Sequence, residues 1–119
     1  MTKSNLALKR VYEPPLPGDG IRILVDRLWP RGLSKEEARI DRWMKELGPS
    51  TGLRKWFNHD PDRWIEFQRR YRDELTSEER VALIEEVRRL SATGKVSLLY
   101  AARDTEHNNA VVLSEIVSR

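Results

Sequence analysis

Residues 96–117 read Val96-Ser-Leu-Leu-Tyr-Ala-Ala-Arg-Asp-Thr-Glu-His-Asn-Asn-Ala-Val-Val-Leu-Ser-Glu-Ile-Val117, an apolar run that breaks into polar residues and then resumes. The pattern predicts a strand buried on both faces over 96–101, a polar turn over 103–109 and an apolar helix over 110–117. Open α/β sheets bind their ligands at such turns, where a buried strand reaches its carboxyl end. This stretch therefore predicts both an α/β fold and the place of a functional site.

Two further strands are predicted closer to the amino terminus. Residues 6–11 have the apolar and β-branched content of a strand, and the proline- and glycine-rich residues 14–20 predict a loop without a helix. Residues 21–26 contain the unbroken apolar run 23–25, which indicates a central strand buried on both faces. Residues 40–47 fit either a helical face or an alternating pattern, and we favour a short strand or extended segment.

Helices are predicted between these strands from their caps and their apolar spacing. Ser34 with Glu37 matches a capping box for a short helix, and Ser50 and Ser77 are suited to cap longer ones. Pro61 is expected to open a further helix, with Asp60 as its cap. The tryptophans at 43, 56 and 64 are predicted to lie in the core. The apolar stripes of the three longer helices are Leu53, Trp56 and Phe57; Trp64, Phe67, Tyr71 and Leu75; and Leu83, Ile84, Val87 and Leu90.

Helices that connect buried strands imply crossover connections, which join parallel strands. We therefore predict a single α/β domain over residues 1–119, with a mostly parallel central sheet and helices packed on it. A chain of 119 residues, 39% of them hydrophobic, is long enough for one core and too short for two.

Composition removes several classes of function. Because the sequence contains no cysteine, disulfides, thiolate nucleophiles, iron–sulfur clusters and cysteine zinc sites are excluded. The net charge of +3 comes from 22 basic and 19 acidic residues that interleave, which allows nucleic-acid binding without indicating it. The chain has no signal-peptide pattern and lacks the ~20 apolar residues of a membrane span, so we predict a cytoplasmic protein without membrane contact.

Known catalytic motifs are also missing from the sequence. It has no Gly-x-Ser-x-Gly elbow, no Gly-x-Gly-x-x-Gly and no Walker lysine loop, which disfavours serine hydrolases, dinucleotide enzymes and P-loop hydrolases. A metal site would have to combine His59, His107, Asp26 and Asp104, which show no ligand spacing, so we predict none. Whether the protein takes a cofactor is left open by the sequence.

The candidate site consists of the polar residues that follow the second and the last strand. If these two strands are neighbours, the two loops converge at one edge of the sheet. The arginines are suited to bind an anion, the amides near His107 add to that preference, and the acids with the histidine are suited to acid–base chemistry. The proposed catalytic residues are Asp26, Asp104 and His107; the proposed ligand-binding residues are Arg27, Trp29, Arg31, Arg103, Asn108 and Asn109.

Structural interpretations compete with each of these roles. Asp26 with Arg27 and Arg31 fits an ion pair that locks a turn as well as it fits a ligand site. Trp29 is more typical of a cap over the core than of a stacking platform. The polar residues around His107 fit a capped helix N-terminus as well as a binding loop. Acidic residues are interspersed among the arginines of 63–72, and this mixture of charges favours a solvated helix face over a binding surface.

The residues that carry a family resemblance are spread over nearly the whole chain. They include 11–15, Leu24-Val-Asp-Arg-Leu-Trp-Pro-Arg-Gly32, Leu53-Arg-Lys-Trp-Phe57, His59-Asp-Pro61 and Leu99-Tyr-Ala-Ala-Arg-Asp104 with His107-Asn108. Together they resemble the YeaO-like branch of the domain of unknown function 488 family, which implies no established activity. The other branch has a cysteine near the end of the last strand and a Cys-His pair in the following turn. Ala101 or Ala102 and Asn108 stand in that region here, so its thiol chemistry does not carry over.

These observations lead to one leading hypothesis and two alternatives. The leading one is an anionic small ligand, phosphorylated or nucleotide-like, bound at the strand-end loops, with acid–base catalysis left open. The first alternative is an accessory domain that binds nucleic acid or protein without catalysis. The second is a structural or regulatory partner module in which the polar loops only stabilise the fold.

Overall fold

The strand over Val96–Tyr100 (β4) is buried along its whole length because it lies inside a parallel sheet. The computed structural model describes residues 5–119, and within them the sheet has four strands in the order β1-β4-β2-β3. All three pairings among these strands are parallel, as the sequence predicts. The other strands are β1 (Leu6–Arg10), β2 (Ile21–Leu24) and β3 (Arg42–Trp43).

Helices connect the strands and cover the sheet. Between β2 and β4 the chain forms α1 (Lys35–Ala38), α2 (Thr51–Phe57), α3 (Trp64–Glu74) and α4 (Glu78–Thr93), and α5 (Asn109–Val117) follows β4. Ser34, Ser50 and Ser77 each cap a helix by accepting a backbone N–H, which confirms the predicted helix starts. None of the helices within residues 5–119 combines the length and the apolar character needed to cross a bilayer. The predicted cytoplasmic location stays a prediction.

The two faces of the sheet bury different side chains because successive residues of a strand point in opposite directions. Ile23 and Leu98 join a large apolar core with the helices α3, α4 and α5. Leu24 and Leu99 point the other way and form a smaller cluster with Val11. The predicted α/β class, the central position of β2 and the buried β4 are therefore confirmed. Residues 1–4 of the predicted domain lie outside the described residues.

Three sequence predictions need correction or refinement. Residues 14–20 are not free of helix, because Pro17–Asp19 forms a 3-10 turn with proline at its start. The segment 40–47 contains the predicted short strand, but Lys45–Leu47 continues as a 3-10 turn. Trp43 is not a core residue: it is 39% exposed because it lies on the edge strand β3, and its indole Nε1 donates to the Asp26 carbonyl at 2.8 Å. Trp56 and Trp64 are partly buried against the core.

A buried charge network joins β1, β2 and the loop between them. The Asp19 carboxylate accepts hydrogen bonds from Lys9 Nζ at 2.9 Å and from Arg22 Nη1 at 2.6 Å. Arg22 Nη2 also donates to the Ala38 carbonyl at 2.8 Å. Burial alone would raise the pKa of Asp19, but the hydrogen bonds from Leu16, Lys9 and Arg22 outweigh it and lower the pKa to about 2.

This network predicts a pH-dependent contribution to stability. Because the pKa of Asp19 is lower in the folded chain than in the unfolded one, its contribution is complete above about pH 4 and disappears as the pH falls through about 2. The shift corresponds to about 2 kcal/mol. We expect Asp19→Asn to be less stable than wild type at neutral pH by at least this amount, and the difference to shrink at about pH 2. Urea denaturation at both pH values measures it. The exposed Glu36→Gln is the control, and an Asp19→Asn difference independent of pH would contradict the prediction.

Candidate functional site

The loops after β2 and β4 border one cavity of about 760 Å³. They meet there because β2 and β4 are adjacent and parallel, so their carboxyl ends reach the same edge of the sheet. Every residue that the sequence predicts for the site lines this cavity: Asp26, Arg27, Trp29, Arg31, Arg103, Asp104, His107, Asn108 and Asn109. The two loops thus come together as expected, although individual residues have different roles.

Asp26 continues β2 beyond its last ladder position and faces the cavity. Its Oδ2 accepts the backbone N–H of Ala101 at 2.9 Å, which links the two loops directly. Burial raises the pKa of Asp26, and the hydrogen bonds from Ala101 and Asn109 offset only part of that effect. Among residues 5–119, neither Arg27 nor Arg31 forms an ion pair with Asp26, so the alternative of a turn-locking ion pair does not apply.

Arg27 lines the cavity and uses part of its guanidinium group within the fold. Its Nε donates to the Pro49 carbonyl at 3.0 Å and its Nη2 to the Gly48 carbonyl at 2.9 Å. These hydrogen bonds use the fork that would hold an anion and instead attach the loop after β2 to the segment before α2. Two of the Arg27 donors thus have a structural role, and its binding of an anion stays a prediction.

The packing of the loop after β2 against the segment before α2 requires a glycine at position 48. A Cβ atom added to Gly48 would lie 2.4 Å from the backbone N of Arg27 and 2.9 Å from the carbonyl carbon of Asp26. Such distances are far below van der Waals contact, so the two backbones approach more closely than any side chain permits. The segment before α2 therefore packs directly against the backbone of the loop after β2.

Trp29 serves the cap role that the sequence favours, and it also lines the cavity. Its ring packs against the smaller apolar cluster, and its Nε1 donates to the Leu33 carbonyl at 2.7 Å. Trp43 contacts it edge-on with ring centroids 5.5 Å apart. The prediction of a cap over the core is confirmed.

Three arginines are predicted to bind an anion. Of these, Arg31 and Arg103 have guanidinium groups without a partner among the described residues. Both side chains are exposed and line the cavity from opposite loops. Within residues 5–119, neither guanidinium donates a hydrogen bond or forms an ion pair with protein. The backbone at Arg31 is nevertheless fixed, because its carbonyl accepts the Tyr12 hydroxyl at 2.8 Å.

Asp104 and His107 form a hydrogen-bonded pair in the turn after β4. His107 Nδ1 lies 2.8 Å from Asp104 Oδ2, and the His107 backbone N–H donates to Asp104 Oδ1 at 3.0 Å. Hydrogen bonds from the Glu106 amide and the His107 ring lower the pKa of Asp104. The carboxylate therefore holds the ring with Nδ1–H toward it and leaves Nε2 available to a ligand.

Asn108 and Asn109 have mainly structural contacts. Asn108 caps α5 by accepting the Val111 N–H at 3.1 Å, and its Nδ2 donates to the Asp104 carbonyl at 2.9 Å. Asn109 is buried and donates to the Val25 carbonyl at 2.9 Å, which ties α5 to β2. The interpretation of this segment as a capped helix N-terminus is confirmed, and it places that N-terminus at the cavity.

Sequence reasoning missed the part of the cavity wall that α2 and α3 supply. Arg54, Phe57 and His59 line it from α2 and its end, and Phe67 lines it from α3. His59 has a left-handed backbone with φ 54°. Arg54 and His59 belong to motifs shared with the resembled family, and the sequence points to His59 only as a residue that a metal site would need. Their place beside Asp26 follows from packing that the order of residues does not show.

The four residues considered for a metal also line this cavity: Asp26, His59, Asp104 and His107. Within the described part of the chain, however, no three histidine or acidic side chains gather closely enough to hold a metal ion. The lining is suited to hydrogen bonding and charge pairing with a ligand.

Comparison with known proteins gives a family and no activity. A family model described as "Inactive DUF488-N3 subclade" matches residues 5–119. The Uncharacterized protein YeaO of Escherichia coli is 43% identical over 114 residues, which cover 93% of this chain and 95% of that protein. An uncharacterized Mycobacterium tuberculosis protein is 37% identical over 116 residues, covering 98% of this chain and 96% of its own length. No solved structure matches the chain significantly.

The close backbone approach at Gly48 predicts a large effect of a single methyl group. We expect Gly48→Ala to lose about 1–3 kcal/mol of stability or more, because the methyl would collide with the backbone at Arg27. Gly52→Ala is the matched control, since Gly52 lies in α2 with no atom within 4 Å of an added Cβ. That change should leave stability equal or higher. Urea denaturation compares the two, and equal midpoints would contradict the prediction.

Proposed function

Since this chain belongs to the DUF488-N3 family, in the subclade described as inactive, we propose that it binds an anionic, phosphorylated or nucleotide-like, small molecule without converting it. The single observation that carries this proposal is the pair Arg31 and Arg103. Their guanidinium groups line one cavity from two loops and have no partner among the described residues. Paired guanidinium groups are well suited to phosphate and carboxylate oxygens.

The surroundings of the two arginines support an anionic ligand. The N-terminus of α5 reaches the cavity through Asn108 and Asn109, and the positive end of a helix dipole favours negative charge. Asp104, in the turn before α5, is already engaged by the His107 ring and by the backbone N–H groups of Glu106 and His107. A volume of about 760 Å³ lies within the range of small-molecule sites, about 300–1,000 Å³.

The residues at the end of β4 support binding without turnover. Ala101 and Ala102 line the cavity there, and the sequence contains no cysteine. A thiolate nucleophile is therefore unavailable. This agrees with the description of the subclade as inactive.

Nucleic-acid binding receives less support from the charge distribution. Arg69 and Arg70 both pair with Glu66, and Arg72 pairs with Glu115. The basic side chains of α3 are thus largely matched by acids, in agreement with the solvated helix face expected from the sequence. A phosphate backbone needs several unmatched cations in a row.

One observation favours a second candidate, proton transfer to or from a bound ligand. The Asp104–His107 hydrogen bond orients an imidazole at the cavity in the way that general bases are oriented in enzymes. Prolonged incubation of protein with a bound ligand, followed by NMR of that ligand, tests for a product. Product formed by wild type and not by His107→Ala would establish this candidate and overturn binding without turnover.

The arginine pair predicts a specific loss of anion affinity. We expect the double variant Arg31→Ala with Arg103→Ala to bind ribose 5-phosphate and inorganic phosphate at least about tenfold more weakly, because two charge-assisted contacts are lost. Isothermal titration calorimetry at low salt measures the change.

The control for this experiment removes the same charge elsewhere. Arg89 and Lys95 are exposed and lie away from the cavity, so Arg89→Ala with Lys95→Ala lowers the net charge equally. This control should keep the wild-type affinity. Equal losses in both double variants would show a general charge effect, and no binding by wild type would remove the proposed function.

A further inference from the structure

The His107 ring has one nitrogen that the protein engages and one that is accessible. Its Nδ1 lies 2.8 Å from Asp104 Oδ2, whereas its Nε2 has no hydrogen-bond partner within residues 5–119. In the same residues, Arg54 Nε is the one side-chain polar atom that is both buried and without a partner. The unpartnered Nε2 of His107 is therefore accessible, on a side chain that is 33% exposed and lines the cavity.

Two further contacts hold the ring in this position without a ligand. The His107 backbone N–H donates to Asp104 Oδ1 at 3.0 Å, so the carboxylate binds both the backbone and the ring of the same residue. From α3, the indole of Trp64 packs edge-on against the imidazole, with ring centroids 5.2 Å apart. The orientation of the ring is thus fixed by the fold, and only Nε2 is left for another molecule.

The charge on Asp104 decides which nitrogen carries the proton. Hydrogen bonds from the Glu106 amide and the His107 ring lower the pKa of Asp104, so its carboxylate is ionised at neutral pH and can only accept. Nδ1 must then donate, and in a neutral imidazole Nε2 has a lone pair that repels an anion. An anion can bind to Nε2 only if a second proton is there.

Other charged groups line the same cavity and contribute to the field at this ring. Asp26, Arg27 and Arg31 come from the loop after β2, Arg54 and His59 from α2 and its end, and Arg103 and Asp104 from the turn after β4. The group that α3 packs against the ring, Trp64, is uncharged. His59 is the other imidazole at the cavity, and imidazoles titrate between about pH 5 and 8, so a test must separate the two histidines.

We propose that His107 is a third cationic contact to the bound anion, with its Nε2–H donating to an anion oxygen beside Arg31 and Arg103, and that binding takes up one proton from solvent onto this ring. The inference rests on the proposed function and adds a residue and a proton to it. Since the charged ring is the form that binds, affinity is highest at low pH and falls as the ring loses its proton. A ring protonated on both nitrogens has no lone pair to act as a base, in agreement with binding without turnover.

NMR of the ring protons tests the proton uptake directly. The chain has two histidines, so His59→Asn leaves His107 as the only imidazole, and asparagine tolerates the left-handed backbone at position 59. The untagged variant is titrated with acid and base, with and without saturating ribose 5-phosphate. Because binding and protonation favour each other reciprocally, we expect the ligand to raise the midpoint by about half a pH unit or more. A midpoint that stays in place or falls overturns the inference.

Calorimetry on a second variant tests the contact itself. His107→Gln replaces the ring by an uncharged donor, and the titration of ribose 5-phosphate affects this variant and wild type equally. We expect wild type to bind about fivefold more tightly than His107→Gln at pH 6, since a charged donor is stronger than a neutral one. This advantage should disappear by pH 8. Circular dichroism establishes that the variant is folded, and the NMR titration decides alone if it is not.

His59→Asn is the matched control, because it removes the other histidine of the same cavity. It should keep the pH dependence of wild type; if it loses that dependence and His107→Gln keeps it, the proton belongs to His59 and the inference is wrong. A constant ratio of the wild-type and His107→Gln affinities at both pH values also overturns it, while anion binding stands. If wild type binds ribose 5-phosphate at neither pH, the proposed function fails and the inference fails with it.

Discussion

The parallel pairing of β2 with β4 is the constraint on which the rest of the structure depends. Ile23 lies opposite Leu98 and Leu24 opposite Leu99, and the ladder extends through the hydrogen bond from Val25 N–H to the Leu99 carbonyl. The next link is the bond from the Ala101 N–H to the Asp26 carboxylate, where a side chain replaces the backbone acceptor. The cavity therefore begins where the backbone ladder ends, and its position follows from the register of two buried strands.

The arginines around this edge differ in what they bind, and that difference gives the cavity its charge. Arg10 donates to the carbonyls of Ala101 and Ala102, and Arg27 donates to those of Gly48 and Pro49. Their charges stabilise loops by satisfying backbone acceptors that no strand or helix uses. Within residues 5–119, the cavity-lining guanidinium groups of Arg31 and Arg103 at the rim have no protein partner. The proposed ligand takes these remaining donors.

The fold keeps its cavity with alanines, and no cysteine, at the end of β4. The alanines at the end of β4 leave the strand and the turn intact, because a small apolar side chain still fits beside the buried cluster of Leu24 and Leu99. The Asp104–His107 hydrogen bond and the Asn108 cap of α5 stabilise the turn itself. Neither of them requires a catalytic role. These hydrogen bonds therefore have a structural role in the same turn at which the ligand is proposed to bind.

The sequence by itself determined the α/β class, the buried strands, the helix caps and the two loops of the site, because apolar periodicity and capping residues act over short distances. Only the tertiary structure decided the order of the strands, the exposed position of Trp43, the diversion of Arg27 to carbonyls and the arrival of Arg54 beside Asp26. The physical reason is that a guanidinium binds whichever acceptor the packed chain brings within reach. That acceptor lies 21 residues away for Arg27, at a separation over which local patterns carry no information.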